Sequence, residues 1–497
     1  LAVFLLVLGI GSAWTADRAW KSVTDYRTPY AIQADLAGGE AMVRRLVLIV
    51  FDGLREDAVA SAPHWQALGE RGVHGTVRAP SPSLSNPARA TMVTGAPPEV
   101  HGVTNNAKFV PPPVDSIFSV ARSVGTSTAV AGSRFWDYAF GEGIDQIWEF
   151  EKELHVVTDV QELVDWQRET CEPMVEFLQK QKNGFVVAGV TAADAAGHDF
   201  GGESEEYRQI VREADACLGE IVSALDDGET AFLAISDHGH IDRRGRGGHG
   251  GSEPEVTWAP FVLAGPGIGA AKLERKRMED AAPTMAILLG APIPANNRGE
   301  SWAEVLGGVG ATRLAEQRAM EAAKVEAGTT VRGREASERI LPTVLLGLLF
   351  GLILATSIVL EERPWPGTAL ALVLFAALYL SLFQIFGLSA SLSAIVREEY
   401  TNAFFGRNVA AAALAYVLSR RLAGSPLLFA TTVCSGFALR AVLAHGQTGL
   451  MMRGAMPDLD VAFAAYLDLL ALFGTALIAV MLWGMRRLFR RRPAEAE

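Results

Sequence analysis

The sequence predicts an α/β protein, a mostly parallel β-sheet sandwiched by helices, followed by a bundle of transmembrane helices. Three observations carry this expectation. Continuous apolar runs of strand length recur between residues 45 and 265, with helical stretches between them. The first three runs each end in aspartate, or in aspartate and histidine. From Ile340 onward the chain is Leu, Ala, Val and Phe with few charges.

The first run, "RLVLIVF" (45–51), does not alternate, as expected of a strand buried on both faces. "FVVAGV" (185–190), "AFLAIS" (231–236) and "APFVLAG" (259–265) repeat the pattern. Between them, "SEEYRQIVREADACLGEIVSAL" (204–225) has helical spacing, and such alternation argues for a parallel sheet. Residues 150–182, rich in Glu and Asp, read as surface helices contributing part of a substrate-binding cap.

The apolar run at residues 1–16 is short for a bilayer and reads as a truncated signal anchor, with a cleaved signal peptide as the alternative. The catalytic region is expected over 17–310, a helical linker over 311–339 and a multi-span membrane region over 340–485. Candidate spans are 340–360, 368–390, 426–444 and 461–485, with a weaker Ala-rich one at 404–418. Arg420, Arg421 and the basic tail 486–497 orient the bundle with its C-terminus in the cytoplasm. Residues 17–339 then face the periplasm or a lumen, although Arg332, Arg334 and Arg339 run against this orientation.

A net charge of -12 over 497 residues argues against a general nucleic-acid binder. The three cysteines, Cys171, Cys217 and Cys434, show no CxxC spacing. Cys171 and Cys217 pair only if the fold brings them together, and two buried free thiols are the expectation.

In parallel sheets ligands gather beyond the carboxyl ends of the strands. Here those ends offer Asp52, Asp194, His198, Asp237, His238 and His249, four of them beside glycines. Mixed Asp and His donors without cysteine suit zinc or another borderline divalent ion, manganese and iron included, rather than calcium. Six donors divide into two sets of three, each with room for a substrate oxygen. His240 lies nearby, but its spacing matches no motif and it is left out of the set.

With Asp52, "DAAGH", "SDHG" and "GGHGG" in this order, residues 45–300 resemble the alkaline phosphatase superfamily. The resemblance is nearest to its nucleotide pyrophosphatase/phosphodiesterase branch and to the GPI ethanolamine phosphate transferases. It implies an alkaline-phosphatase-like fold in which Asp194, His198 and His249 hold one Zn2+ while Asp52, Asp237 and His238 hold the other. It places the nucleophile on Ser85 rather than Thr91, and the phosphate-binding amide on Asn106 of "HGVTNN".

"SNPARATMV" also reads as a serine at a helix start with proline in the first turn, so Ser85 is expected to be both cap and nucleophile. The helix N-terminus favours an anion there. Arg243, Arg244 and Arg246 are candidates for binding a phosphate or headgroup, with a solvated basic loop as the alternative. The expected activity is a membrane-bound, metal-dependent phosphodiester hydrolase working through phosphoserine, on a substrate that includes lipid or glycan headgroups. A phosphoethanolamine-type transferase is the alternative. A sulfatase is the second, because Ser85 to Arg89 fits the Ser/Cys-x-Pro-x-Arg pattern in which the first residue becomes formylglycine.

Overall fold

The computed structural model describes residues 2–31, 38–107, 111–150, 157–243, 246–307, 344, 348, 365–389, 391–394, 398–422, 426–448 and 459–490. Two compact units are present, one of Arg27–Val331 and one of Leu1–Tyr26 with Arg332–Glu497.

The first unit is built on an eight-stranded sheet. Its strands are β1 (Arg45–Phe51), β2 (Val73–Arg78), β3 (Thr128–Gly132), β4 (Gln146–Glu149), β5 (Gly184–Val190), β6 (Thr230–Ser236), β7 (Trp258–Ala264) and β8 (Ala271–Arg277), in the order β4-β3-β5-β1-β6-β7-β2-β8. β1, at the centre, is parallel to β5 and β6, and all seven of its residues are buried. β7 departs from the pattern its apolar run suggests and is antiparallel to both β6 and β2.

Alternate residues of β1 feed two apolar layers. Leu46, Leu48 and Val50 face a layer that includes helices α2 (Ser85–Thr94), α3 (Ile117–Ser123) and α7 (Ala281–Leu288). Val47, Ile49 and Phe51 face the layer of α1 (Pro63–Glu70), α4 (Val160–Gln179), α5 (Ala192–Phe200) and α6 (Glu205–Leu225). This period-two division is what a central strand does when helices cover both faces.

One expectation is met and one changes here. The acidic stretch expected as surface helices holds α4, started by Asp159 accepting from Gln161 N at 2.9 Å, whose inward face, with Leu163, Val164, Trp166, Met174 and Leu178, joins the core. Cys171 on α4 and Cys217 on α6 form a disulfide, with Cα atoms 5.8 Å apart, rather than two free thiols. The reason is that α4 and α6 lie side by side on one face of the sheet, which a separation of 46 residues does not reveal. Cys434 is free and buried.

In the second unit the described helices are Ala2–Thr24, Trp365–Ile385, Glu398–Ser419, Pro426–Thr448 and Leu459–Arg490. Among the described residues three helices are long and apolar enough to cross a membrane, over Ala2–Lys21, Leu427–Ala444 and Ala462–Arg486, and Ala369–Ile385 is a shorter apolar stretch. The N-terminal run is thus the start of a 23-residue helix rather than an isolated short segment. The 404–418 stretch falls within Glu398–Ser419, which is not among the three. Apart from Val344 and Leu348, the run 340–360 lies outside the described residues, as does the expected linker 311–339.

Candidate functional site

Strand register builds the site. Phe51 pairs with Val190 on one side and Ser236 on the other, so β5, β1 and β6 end level and release their next residues at one edge. Asp52 follows β1 directly, and Asp237 and His238 follow β6. Asp194 and His198 stand four residues apart on α5, which puts both on one helix face. His249 arrives on a loop clasped to Ser83, whose carbonyl accepts from His249 Nδ1 at 3.1 Å and whose Oγ accepts from Gly250 N at 3.2 Å.

The six donors fall into two clusters. In the first, His198 Nε2 and His249 Nε2 are 3.1 Å apart, and Asp194 Oδ1 lies 3.4 Å from His249 Nε2 and 3.6 Å from His198 Nε2. In the second, His238 Nε2 lies 3.5 Å from Asp52 Oδ1, 3.6 Å from Asp237 Oδ1 and 3.2 Å from Ser85 Oγ. Ligands around a tetrahedral zinc with bonds of ~2.0 Å are separated by about 3.3 Å, so both clusters have the spacing of ligand sets. Among the described residues Asp52 Oδ1 is buried with no hydrogen-bond partner, and Asp237 Oδ2 has only the Arg89 ion pair. A buried carboxylate oxygen is costly without a partner, and a cation would satisfy Asp52 Oδ1. The donors fit divalent metal ions, and His238 is near enough to both carboxylate groups to serve either cluster.

The electrostatics follow from burial and from who faces whom. Burial, and next the charge of Asp52, pushes Asp237 well above the ordinary carboxylate range. Burial also raises Asp52, with Arg89 opposing it. For Asp194 burial again pulls upward, but His198, the hydrogen bond with His240 and His249 outweigh it and hold the carboxyl well below its usual range. Burial holds His238 well below the usual imidazole range and His249 down at about 4, so both present neutral lone pairs.

Two residues that the sequence reading left out of the ligand set belong to this constellation. Arg89, buried on α2, donates from NH2 to Asp52 Oδ2 and reaches Asp237 Oδ2 with Nε at 3.4 Å. It holds the outer oxygens of both carboxylates while their Oδ1 atoms face His238. The signal that could have found it is its spacing, four residues after Ser85 on one helix face. His240 is the second, with Nε2 2.9 Å from Asp194 Oδ1.

Ser85 is the first residue of α2, and Leu84 occupies the capping position with no side-chain cap bond. The expectation that Ser85 doubles as the cap is therefore corrected, and its hydroxyl stands against His238 instead. Thr91 is fully buried, with Oγ1 3.1 Å from His101 Nε2. Asn106 accepts from Asn86 N at 3.0 Å and places Nδ2 3.5 Å from Ser85 Oγ. Arg243 and Arg246 are exposed, with Arg243 N donating to Arg246 O at 2.8 Å, and Arg244 lies outside the described residues.

An α/β sheet with two Asp/His clusters at its strand ends and a serine at a helix N-terminus is the arrangement that the resemblance to the alkaline phosphatase superfamily implies. Residues 46–249 match the family described as type I phosphodiesterase / nucleotide pyrophosphatase. Among curated proteins, GPI ethanolamine phosphate transferase 1 of Mus musculus is 26% identical over 310 residues, 52% of this chain and 32% of the mouse protein. The Schizosaccharomyces pombe protein of that name is 24% identical over 324 residues, 53% of this chain and 33% of its own. The chain spans about a third of the length of the curated relatives it matches. Similar solved structures include murine ectonucleotide pyrophosphatase / phosphodiesterase 5 (TM-score 0.43, 14% identity, 50% of this chain and 96% of that one). A 2-O GAG sulfatase is also similar (TM-score 0.44, 18% identity, 54% of this chain and 75% of that one). At these scores structural likeness decides nothing between phosphate and sulfate chemistry.

Proposed function

We infer that this protein is a membrane-attached transferase that moves a phosphoethanolamine-type group from a phosphodiester donor, through a covalent adduct on Ser85, to an acceptor hydroxyl on a lipid or glycan. The observation that carries this reading is the Ser85 hydroxyl, uncapped at a helix N-terminus and 3.2 Å from His238 Nε2. Transfer takes precedence over the hydrolysis expected from sequence because the curated relatives named above are transferases and apolar helices accompany the domain.

In the first half-reaction Ser85 Oγ attacks phosphorus, the Oγ–P bond forms and the bond to the leaving alcohol breaks. The serine proton passes to solvent and the leaving oxygen takes one from solvent as it departs as the alcohol, so no net proton is gained or lost. The first-turn amides of α2 favour the anion at this spot, and Asn106 Nδ2 is placed to donate to a non-bridging oxygen. In the second half-reaction an acceptor hydroxyl attacks the same phosphorus, Oγ–P breaks and Ser85 regains its proton. Zinc ions, with manganese or iron as alternatives, held by Asp194, His198 and His249 and by Asp52, Asp237 and His238 would neutralise phosphoryl charge and lower the pKa of the attacking hydroxyl. Arg89 holds the carboxylates in register throughout. Arg246 remains a candidate for contact with the headgroup.

The disulfide supports an oxidising compartment for the catalytic domain, consistent with an orientation set by Arg420, Arg421 and the basic C-terminal end. Nucleic acid is not an expected partner, given the charge of -12. The test is to incubate the detergent-solubilised chain with a phosphatidylethanolamine donor and either a glycolipid alcohol or water alone. Acceptor-dependent release of diacylglycerol supports transfer. Equal release without acceptor returns the reading to a hydrolase, and turnover of sulfate esters alone returns it to a sulfatase.

A further inference from the structure

We propose that the helices of the second unit carry a site for the headgroup of a zwitterionic phospholipid, with Arg440 taking the phosphate and Asp468 the ammonium. The proposal rests on the membrane-spanning reading of these helices, and not on which reaction the first unit performs. Its core is an ion pair between two apolar spans. Arg440 on helix Pro426–Thr448 sets Nε 3.1 Å from Oδ2 of Asp468 on helix Leu459–Arg490. Charged side chains inside membrane spans are costly and rare, and they mark functional sites.

The two partners are covered unequally. The Asp468 side chain is 7% exposed and the Arg440 side chain 62%. A pair that only fastened two helices would keep both groups between them. Here the carboxylate lies inside and holds one edge of the guanidinium, while the rest of the group is uncovered. A guanidinium is a rigid planar fork of N–H donors, and an edge not turned to the carboxylate matches two oxygens of a phosphate. Depth agrees with this. At ~1.5 Å per residue, Arg440 lies about 6 Å inside the Ala444 end of its span and Asp468 about 9 Å inside the Ala462 end. Those two ends are consecutive in the chain, so they share one side of the membrane, away from Arg420, Arg421 and Arg486. An arginine at that depth extends its head to the phosphate layer while its stem stays in the apolar region.

The other two helices bring polar groups to the same level. Tyr379, on helix Trp365–Ile385, donates to Asn408 Oδ1 on helix Glu398–Ser419 at 2.6 Å. Its ring lies 5.8 Å from that of Phe437, one turn before Arg440. The rings of Phe405 and Tyr466, 5.3 Å apart, set helix Glu398–Ser419 beside the turn that carries Asp468. Among the described residues Asn408 Nδ2 is buried with no partner, so this level holds more donors than the protein itself uses. The charge pattern then selects the headgroup. A lone arginine would favour an anionic lipid, but here such a headgroup would also meet Asp468 with nothing to offset it. A phosphoethanolamine headgroup brings its own ammonium, whose N–H donors suit that carboxylate.

The test is native mass spectrometry of the detergent-solubilised full chain, titrated with dioctanoyl lipids that differ only in headgroup. The ethanolamine lipid should bind at least about tenfold tighter than the glycerol lipid or diacylglycerol, the equivalent of one charge-assisted hydrogen bond. Arg440→Gln should lose the ethanolamine lipid by a similar factor. Asp468→Asn should bring the glycerol lipid level with the ethanolamine lipid or above it. Arg407→Gln, which removes an exposed arginine of helix Glu398–Ser419 outside the pair, should change neither. Equal affinities across the headgroups would overturn the proposal, and so would equal losses in Arg407→Gln and Arg440→Gln, since both would mean unspecific attraction. Binding of the ethanolamine lipid untouched by Arg440→Gln would place the lipid elsewhere and overturn it too. Glycerophosphoethanolamine binding as tightly as the lipid would also do so, because the ligand would then be a soluble ester. The headgroup series on the unmodified chain needs no variant and decides the matter if a variant does not fold. Release of the chain from membranes by alkaline carbonate would instead reject the spanning reading on which the proposal stands.

Discussion

The two halves of the site use the same donors in opposite proportion. Around Asp194 one carboxylate meets two imidazoles, His198 and His249, with the His240 ring against the same oxygen. Around His238 two carboxylates meet one imidazole, and the group behind them is the Arg89 guanidinium, spread over both outer oxygens. A second buried carboxylate would make that half more negative than its neighbour, and Arg89 brings the two level. The difference teaches that charge here is balanced from behind the ligands. Each half can then take an ion of the same charge, while the serine belongs to one half only. Ser85 contacts His238, so the carboxylate-rich half carries the nucleophile and the histidine-rich half remains for the other oxygens of the substrate.

The largest effect expected falls on the nucleophile. Ser85→Ala should lower turnover by about 10⁴-fold or more, as loss of a covalent nucleophile does. Ser85→Thr should keep measurable activity, because the hydroxyl survives. Thr91→Ala should leave turnover within a few-fold, since its hydroxyl is occupied by His101. A Thr91→Ala loss exceeding that of Ser85→Ala would move the nucleophile six residues and detach it from the carboxylate-rich half.

Metal removal sharpens the comparison next. A chelator should abolish turnover and zinc should restore it. His249→Ala and Asp237→Asn should each lose one ion while retaining the other, read by elemental analysis. Loss of both ions from either variant would mean that the halves do not act separately.

Arg89 tests the balance itself. Removing one partner of a buried charge pair costs about 3–5 kcal/mol, so Arg89→Met should lower the thermal midpoint of the metal-free protein clearly. Zinc should then raise that midpoint more in Arg89→Met than in the unmodified chain, because the ion compensates carboxylates that Arg89 no longer covers. Equal zinc-induced shifts would contradict the levelling role.

A smaller effect lies beside the site. Burial holds His101 down at about 3, against an unfolded value of about 6.5. Above pH 6.5 the imidazole is neutral folded and unfolded, and it imposes no pH dependence. Below that the unfolded chain takes up a proton that the folded one refuses, so stability falls by about 1.4 kcal/mol per pH unit until pH approaches 3. His101→Gln should flatten this part of the stability profile in acid denaturation. An unchanged slope would show that another group titrates there.

Much of this arrangement could be read from the chain before folding, and the limits are physical. Asp52, Asp237 and His238 follow buried runs whose lack of alternation marks central strands, so their position at a strand end was legible. β2, "VHGTVR", and β8, "AKLERKR", carry no apolar run and were not read as strands, because pairing rather than burial defines them. Arg89 and His240 were visible as residues but not as partners. Their contacts exist only once β1, β5 and β6 end level. The Cys171–Cys217 bond depends in the same way on two helices lying on one face of the sheet.

The most direct test of the central claim is to trap the intermediate. The metal-loaded chain would be quenched in acid during turnover of a phosphodiester donor, digested and mapped by mass spectrometry. The account predicts a phosphoethanolamine-type adduct on the peptide containing Ser85, and none in Ser85→Ala. An adduct on Thr91, or formylglycine at position 85, would contradict it.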